Sequence, residues 1–227
     1  MDTNNGIKIS ICVPVHPMKD AAWLLTRCLD SILEQTYPNI EVVVTDNSED
    51  NNLFNVLEKY GFAKKYRVNS RKGMAQNTNE AIKLATGDII KVLYMDDLFA
   101  HKDAVKEIVE AFTASNKYWL VTACEHTHGK DRFNKHKPVY TENILTANTI
   151  GSPSVLAFRN KNPLLFDEKM TWLLDADLYH RLYKIHGDPI ILNKTNVIIG
   201  IHSGQVTNLL SNKEKQYEEE YIKEKHA

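Results

Sequence analysis

The sequence predicts an α/β fold in which one open sheet is flanked by helices. Short apolar runs rich in β-branched residues alternate with longer amphipathic runs along the N-terminal half, as a parallel sheet with crossover helices requires. A chain of 227 residues with 43% hydrophobic and 25% charged residues can also bury a substantial core. We therefore expect a single domain over residues 1–227.

Each predicted element of the N-terminal half follows from its residue pattern. The expected strands are 7–13, 41–45, 66–68 and 88–93, and the expected helices are 21–35, a segment near 53–60, 74–85 and 102–115. Leu25, Leu29 and Ile32 fall on one face of the first helix, as an amphipathic helix requires. Gly87 is expected to end the third helix, because glycine suits a left-handed helix end.

The pattern becomes mixed after residue 118. Strand-like runs at 119–124, 155–158 and 197–201 surround one helical segment at 175–185. The chain contains no internal repeat and no linker. We therefore expect the open sheet to continue into a less regular C-terminal third.

Polar clusters follow the first four predicted strands, at residues 14–16, 46–48, 70–73 and 96–97. Each cluster alone could be a turn, since Asp, Asn, Ser and Gly are ordinary turn residues. Ligands of open α/β sheets, however, bind beyond the carboxyl ends of the strands, where all four clusters meet. The chain has neither a GxGxxG fingerprint nor a GxxxxGK[ST] loop, which disfavours a dinucleotide-binding Rossmann enzyme and a P-loop phosphotransferase.

The pair Asp96-Asp97 directly follows an apolar strand. Mg²⁺ and Mn²⁺ prefer oxygen ligands and often combine one or two protein carboxylates with the phosphates of a substrate. The pair therefore indicates a site for a metal and a nucleotide or other diphosphate. The alternative is that the two acidic residues only cap the following turn or helix.

Composition narrows the classes of partner and compartment. The formal charge of −1 and the pI near 6.8 give no overall attraction to nucleic acid or anionic lipid, and no clear nucleic-acid site is present. No run approaches the roughly 18 to 20 apolar residues of a membrane span. Cys12, Cys28 and Cys124 are odd in number and widely spaced, which suits buried reduced thiols. We expect a cytoplasmic protein, with peripheral association at a membrane left open.

Four segments carry the motifs of a known family. They are ISICVPVH at 9–16, CLDSILEQTYPN at 28–39, EVVVTDNS at 41–48, and the stretch from Gly73 to Asp88. The chain resembles the inverting glycosyltransferases of family 2 with the GT-A fold, over most of its length, and the second segment is more specific than the first. The resemblance implies a nucleotide-sugar-binding half at 1–100, an acceptor-binding and catalytic-base half at 101–211, and a charged C-terminal helix at 212–227.

The resemblance implies a pocket for the donor nucleotide. Asp46 would accept a hydrogen bond from a uracil-type imide. The other residues implied to line this pocket are Pro14, Val15, His16, Arg71, Gly73 and Asn77.

Tyr94, Met95 and Asp96 occupy the position of the family's Asp-x-Asp motif. Asp96 matches the last position and would bind Mn²⁺ or Mg²⁺. Tyr94 stands where the family usually has a carboxylate, and it offers a phenolic hydroxyl or a stacking face instead. His202 lies just past a strand, where related enzymes carry a histidine that ligates the metal or a phosphate; the alternative for His202 is a structural or solvated histidine.

Asp175 begins a helix and matches the Asp that, in the family, deprotonates the acceptor hydroxyl. Leu174 replaces the Glu that usually precedes it, and Asp177 is the substitute candidate for the base. An acidic residue in the first turn of a helix also interacts favourably with the helix dipole, so capping alone is the simpler role. The order of motifs around Asp175 favours the base.

Two charged segments have no assigned chemistry. His126 and His128 have a spacing that suits a metal, but no third ligand is near in sequence, and the basic residues from 130 to 137 indicate a mobile, solvated loop. Residues 213–225 balance Lys and Glu and are expected to form a solvated helix, although docking to a partner or a second subunit, and hence a homo-oligomer, is left open.

The function that the resemblance implies is metal-dependent, inverting transfer of a hexose from a UDP-sugar to a hydroxyl of a glycan or glycoconjugate. A sugar nucleotidyltransferase is a weaker alternative, because the N-terminal region lacks a loop rich in glycine and arginine. A non-catalytic nucleotide-sugar or carbohydrate-binding protein is the other alternative, because Tyr94 and Leu174 interrupt two acidic motifs.

Overall fold

The computed structural model describes residues 6–50, 52–62 and 64–227, so residues 1–5 of the predicted domain lie outside the described residues. The strands of the described chain are β1 (Ile9–Val15), β2 (Ile40–Asp46), β3 (Lys64–Val68), β4 (Ile89–Val92), β5 (Leu98–Phe99), β6 (Trp119–Thr127), β7 (Arg132–His136), β8 (Leu156–Arg159) and β9 (Ile190–Gly200). The helices are α1 (Ala21–Leu33), α2 (Asn52–Leu57), α3 (Met74–Leu84), α4 (Ala104–Thr113), α5 (Leu174–His186), α6 (Val206–Leu209) and α7 (Asn212–Lys225), with a 3₁₀ turn at Pro153–Val155.

These strands form one open mixed sheet in the order β3-β2-β1-β4-β8-β6-β9-β5, with β7 paired to β6. The first four strands of this order are parallel. β8 runs antiparallel to both β4 and β6, and β9 runs parallel to β6. The carboxyl ends of β1, β2, β4, β6 and β9 therefore lie at one edge of the sheet. The predicted α/β class, the open mixed sheet and its flanking helices are confirmed.

The central strands are apolar because both of their faces are covered. All seven residues of β1 are buried, and so are all four residues of β4. α1 contributes Leu25, Leu29 and Ile32 to the core, as its periodicity predicts. Burial on both faces is the usual reason that parallel strands read as continuous apolar runs.

Gly87 has a different role from the predicted one. α3 ends at Leu84, followed by Ala85 in an extended conformation, and Gly87 does not adopt a left-handed conformation. A Cβ at Gly87 would lie 2.7 Å from the carbonyl oxygen of Lys8 and 2.8 Å from the amide nitrogen of Ser10. Glycine is thus needed here because the backbone around the start of β1 passes against it.

The predicted mobile loop at 130–137 is also wrong in part. Arg132–His136 forms β7, which pairs antiparallel with β6 so that Arg132 faces Thr127 across the hairpin. The sequence of β7 has no apolar pattern that predicts a strand, because its basic side chains lie outside the core. Arg132 donates a hydrogen bond to the carbonyl of Ala100 at 2.9 Å.

The sequence predicted that the last helix is solvated, but in the structure one face of this helix is buried. Within α7, Glu218 and Ile222 are buried, while the other positions are mainly exposed. The helix starts with a capping box, in which Ser211 and Glu214 each accept a hydrogen bond from the other's backbone N–H. One face of α7 therefore packs on the rest of the domain.

Two expectations from composition can be compared directly with the structure. Cys12, Cys28 and Cys124 are buried and free, as predicted. In the described part of the chain, no helix has both the length and the apolar character that crossing a membrane demands.

The close backbone approach at Gly87 predicts the effect of adding one methyl group. Gly87→Ala is expected to lower the free energy of unfolding by about 1–3 kcal/mol, because the neighbouring backbone must move. Gly61→Ala is the matched control, since nothing lies within 4 Å of a Cβ there. Urea unfolding of both variants measures the difference, and equal losses would contradict the role given to Gly87.

Candidate functional site

A cavity of about 690 Å³ opens at the carboxyl edge of the sheet. Its walls come from the segments that follow β1, β2, β4 and β9, from the start of α3, and from the segment that leads into α5. Ligand sites of open α/β sheets lie at this edge.

Most of the site residues predicted from the sequence line this one cavity. They are Pro14, His16, Gly73, Asn77, Tyr94, Met95, Asp96, Asp175 and His202. Val15, Asp46 and Arg71 do not line it. Asn47 and Lys72, from the predicted polar clusters at 46–48 and 70–73, also line the cavity, as do Asp50, Trp172 and Gln205, which had no predicted role.

Asp96 and His202 are adjacent. The Nε2 atom of His202 lies 2.9 Å from the Oδ2 atom of Asp96, and both side chains are partly exposed to the cavity. At this distance the two side chains contact each other directly by a hydrogen bond, and a divalent ion bound by both would take the place of that contact. In residues 6–50, 52–62 and 64–227, no three His, Cys, Asp or Glu side chains gather as a complete protein cage, so an ion here would need oxygen atoms from a substrate or water.

Gly200 brings these two side chains together. A Cβ at Gly200 would lie 2.2 Å from the carbonyl oxygen of Asp96, and the Gly200 amide donates a hydrogen bond to Oδ1 of Asp97 at 2.9 Å. Only glycine allows β9 to end this close to the Asp96 backbone. The sequence signal was present in the run Gly200-Ile201-His202, but its partner lies more than a hundred residues away.

Asp97 also lines the cavity, and the Gly200 amide donates a hydrogen bond to its carboxyl. It is buried, and burial raises the pKa of its carboxyl well above the usual value, while Lys91 opposes the rise. Lys91 is also buried, and its ammonium donates hydrogen bonds to the carbonyls of Val92, Ser154 and Leu156. Lys91 thus ties β4 to the 3₁₀ turn at Pro153–Val155, and the neighbouring Ser152 and Pro153 line the cavity wall.

Tyr94 replaces a carboxylate with a neutral side chain. Its amide donates a hydrogen bond to Oγ of Ser154 at 2.9 Å, and burial raises the pKa of its phenol, so the hydroxyl stays protonated at neutral pH. Met95 links this segment to β1, because the His16 amide donates to the sulfur of Met95 at 3.4 Å. Among residues 94–96, Asp96 is the one carboxylate, and its side chain lines the cavity and is partly exposed.

Asp46 is closed off from the cavity. It is fully buried, Oδ1 accepts hydrogen bonds from the amide and hydroxyl of Ser48, and Oδ2 accepts one from the hydroxyl of Tyr66 at 2.7 Å. A contact between Asp46 and a nucleotide base would require one of these hydrogen bonds to be exchanged. The neighbouring Asn47 lines the cavity in its place.

Two further predicted residues, Val15 and Arg71, lie outside the cavity lining. Val15 is buried, and its carbonyl accepts hydrogen bonds from Asn47 and from the Asn77 side chain. Arg71 forms an ion pair with Glu168, away from the cavity, whereas its neighbour Lys72 lines the wall. Lys72, and not the predicted Arg71, is therefore the basic side chain of this segment that lines the cavity.

Asp175 lies in the first turn of α5 and lines the cavity. Oδ2 accepts a hydrogen bond from the side chain of Asn148 at 2.8 Å, and Oδ1 accepts one from the amide of Ala176 at 2.7 Å. Burial raises the pKa of Asp175 to about 7. A carboxylate with this pKa can accept a proton near neutral pH, as a general base must.

Asp177, the substitute candidate for the base, does not line the cavity. It is fully buried and pairs with Arg181, Lys225 and His226 at distances of 2.7 to 2.8 Å. These partners hold the pKa of the Asp177 carboxyl below its usual value although burial opposes them. Asp177 therefore anchors α5, and Asp175 is the acidic residue of this helix that faces the cavity.

Comparison with known proteins identifies the family. A curated relative, an uncharacterized glycosyltransferase of Rickettsia typhi, is 26% identical over 92% of this chain and 69% of its own length. S. aureus TarS 1–349 in complex with UDP-GlcNAc superposes with a TM-score of 0.76 and 20% identity, over 95% of this chain and 65% of that chain. A mannosyltransferase of Pyrobaculum calidifontis, in complex with GDP-Man and Mn²⁺, superposes with a TM-score of 0.62 and 18% identity, over 88% of this chain and 58% of that chain. These structures show that the fold is the GT-A fold.

The family assignment rests on the sequence match. The model of glycosyl transferase family 2 matches residues 10–182, which is most of the chain. The matched region contains the predicted donor site and Asp175 and ends before His202. The chain therefore belongs to glycosyltransferase family 2, as its motifs predict.

Proposed function

We propose that this chain transfers a hexose from a UDP-sugar to a hydroxyl group of a glycan or glycoconjugate, with inversion at the anomeric carbon. The observation that carries the proposal is that Asp96 and His202 line the same cavity as Asp175. The same cavity can thus hold a cation and a diphosphate at Asp96 and His202, while the Asp175 carboxylate, with a pKa of about 7, is available to an acceptor. Membership of family 2 supports this division of roles.

The donor diphosphate would bind at Asp96 and His202 through Mn²⁺ or Mg²⁺. A divalent ion there would act as a Lewis acid and stabilise the charge that develops on the departing nucleotide diphosphate. The ion would replace the direct contact between these two side chains, which already lie side by side in the cavity wall. Lys72, in the same wall, adds positive charge toward the phosphates.

UDP is the proposed nucleotide. TarS, which is similar in fold, binds UDP-GlcNAc, although the similar mannosyltransferase binds GDP-Man. Asp46 would accept a hydrogen bond from the uracil imide in exchange for the one that Tyr66 now donates. Asn47 and Asp50 offer further polar groups in the cavity wall.

Asp175 is proposed as the general base. Its carboxylate would take the proton of the acceptor hydroxyl while the acceptor oxygen attacks the anomeric carbon and the bond from that carbon to the diphosphate oxygen breaks. A single displacement of this kind inverts the anomeric configuration. Asn148 orients the carboxylate through its hydrogen bond to Oδ2.

A non-catalytic nucleotide-sugar-binding protein is the second candidate. The observation that favours it is the loss of two family carboxylates, where Tyr94 and Leu174 stand. Leu174 is buried, so a carboxylate at this position would have to be accommodated in the core. A binding protein would hold UDP-sugar without producing a glycosylated acceptor.

Asp175→Asn separates the two candidates. We expect kcat for transfer to fall by about 10²–10⁴-fold, because the variant has no carboxylate to accept the proton. UDP affinity, measured by calorimetry in the presence of Mn²⁺, should stay unchanged, since the nucleotide is held elsewhere. Asp188→Asn, at an exposed position, is the control and should keep full activity. Equal transfer by wild type and Asp175→Asn would exclude Asp175 as the base.

Asp96→Asn tests the cation site. In the wild type, removing divalent ions with EDTA should weaken UDP binding and abolish transfer, and adding Mn²⁺ should restore both. The variant should bind UDP weakly with or without Mn²⁺, since one of its two protein ligands has lost its charge. Asp20→Asn, at an exposed position, should behave like the wild type. Full Mn²⁺ dependence in Asp96→Asn would place the ion elsewhere.

The pH profile tests the raised pKa of Asp175. Because burial raises this pKa to about 7, the base is protonated and inactive at lower pH and becomes available as the pH rises. The value of kcat/KM should therefore increase from about pH 6 to pH 8 and then level off. The residual activity of Asp175→Asn should lack this rise. A wild-type profile that is flat over this interval would contradict the prediction.

A further inference from the structure

We propose that Glu218 of α7 is a positioning residue for Asp175, so that the last helix of the described chain completes the catalytic site. The inference rests on the proposed role of Asp175 as base and concerns how this carboxylate is held. Glu218 lies 43 residues beyond Asp175 in the sequence and outside the region that the family model matches.

The carboxylate of Glu218 holds the segment that enters α5. Oε1 accepts a hydrogen bond from the Thr171 amide at 2.7 Å, and Oε2 accepts hydrogen bonds from the amides of Trp172 and Leu173, each at 2.9 Å. Glu218 is 5% exposed, so these hydrogen bonds form away from bulk water. Charge-assisted hydrogen bonds of this kind are about twice as strong as neutral ones.

This segment is part of the site. Thr171 and Trp172 line the cavity, and Leu173 is the N-cap residue of α5, two positions before Asp175. A leucine side chain cannot accept a hydrogen bond from the first turn, and α5 has no side-chain cap of its own. Glu218 supplies, from another helix, negative charge and acceptors next to the start of α5, where the helix dipole favours them.

Other contacts keep Glu218 in place. Ile222, one turn further along α7, is 2% exposed. Lys225 pairs with Asp167 and Asp177 at 2.6 and 2.7 Å, and Lys215 lies over the ring of Trp172 at 5.6 Å. α7 is thus fastened along its length to residues 167–177, which fixes the Glu218 carboxylate relative to the backbone it binds.

Glu218 also acts on Asp175 through charge. The side chains that face or act on Asp175 are Asn148, which donates a hydrogen bond, and Tyr94, Tyr179 and Glu218. Of these, Glu218 is the carboxylate, and its negative charge adds to the rise in the pKa of Asp175 that burial causes. The same residue therefore affects both the place of the base and its proton affinity.

Glu218→Gln in the full chain tests the proposal. Glutamine keeps the size of the side chain but presents an NH₂ group to amides that need acceptors. We expect kcat to fall by about 10-fold or more, as misplacement of a catalytic group does, while UDP affinity with Mn²⁺ stays unchanged. Hydrogen exchange at residues 171–173 should become faster, and a ¹³C titration should show a lower pKa for Asp175. Glu219→Gln, exposed on the same helix, should change none of these.

Two further variants keep the outcome decisive. Ile108→Val removes one methyl group from a buried position of α4 that does not line the cavity, and it should lower Tm but leave kcat intact. Glu218→Asp keeps the charge with a shorter reach, and should give an intermediate loss even if the Gln variant does not fold. Unchanged exchange at 171–173, an unchanged pKa of Asp175, or a kcat equal to that of the wild type in a folded Glu218 variant would overturn the proposal. A wild type without transfer activity would count against the proposed function instead, and exchange and titration would still decide the role of Glu218.

Discussion

The close contact between Gly200 and the backbone of Asp96 fixes the relation between the two halves of the sheet. Asp96 follows β4, in the parallel half, and His202 follows β9, in the mixed half. β4 and β9 are separated in the sheet by β8 and β6, so their ends meet only because no side chain stands between Gly200 and the Asp96 carbonyl. The hydrogen bond from Gly200 to Asp97 then fastens the contact. The cation site that we propose depends on this arrangement.

The buried side chains of Lys91 and Asp97 have a structural role that differs from the proposed roles of Asp96, His202 and Asp175. Lys91 and Asp97 are buried, and each has hydrogen bonds to backbone groups on neighbouring elements. Burial raises the pKa of the Asp97 carboxyl and lowers that of the Lys91 ammonium, so both side chains are held by these hydrogen bonds and not by exposure to water. Asp96, His202 and Asp175 instead keep partial exposure, so their charges remain available to a ligand. Asp97 lines the same cavity although it is buried, so the cavity wall combines buried and partly exposed polar side chains.

The sequence predicted the repeating part of the fold well, because buried parallel strands and amphipathic helices leave periodic patterns. It failed where a residue's role depends on a distant partner. Gly87 was assigned to a helix end although its constraint comes from the backbone of residues 8–10, and β7 was missed because its exposed face carries basic side chains. The hydrogen bonds of Asp46 to Ser48 and Tyr66 were not predicted either, because Tyr66 lies on a neighbouring strand, and the role of Asp46 toward a nucleotide stays a prediction. Glu218 gave no signal at all, since nothing in a charged helix reveals a buried carboxylate that binds three amides.

The contacts between α7 and the start of α5 show that residues beyond the family match take part in the proposed site. The family match stops at residue 182, and a fragment trimmed to that boundary would retain Asp96 and Asp175. It would lack β9 with His202, and it would leave the amides of residues 171–173 without their acceptor. The 45 residues that follow the matched region therefore contain His202 of the proposed cation site and Glu218, whose carboxylate accepts hydrogen bonds from the segment that enters α5.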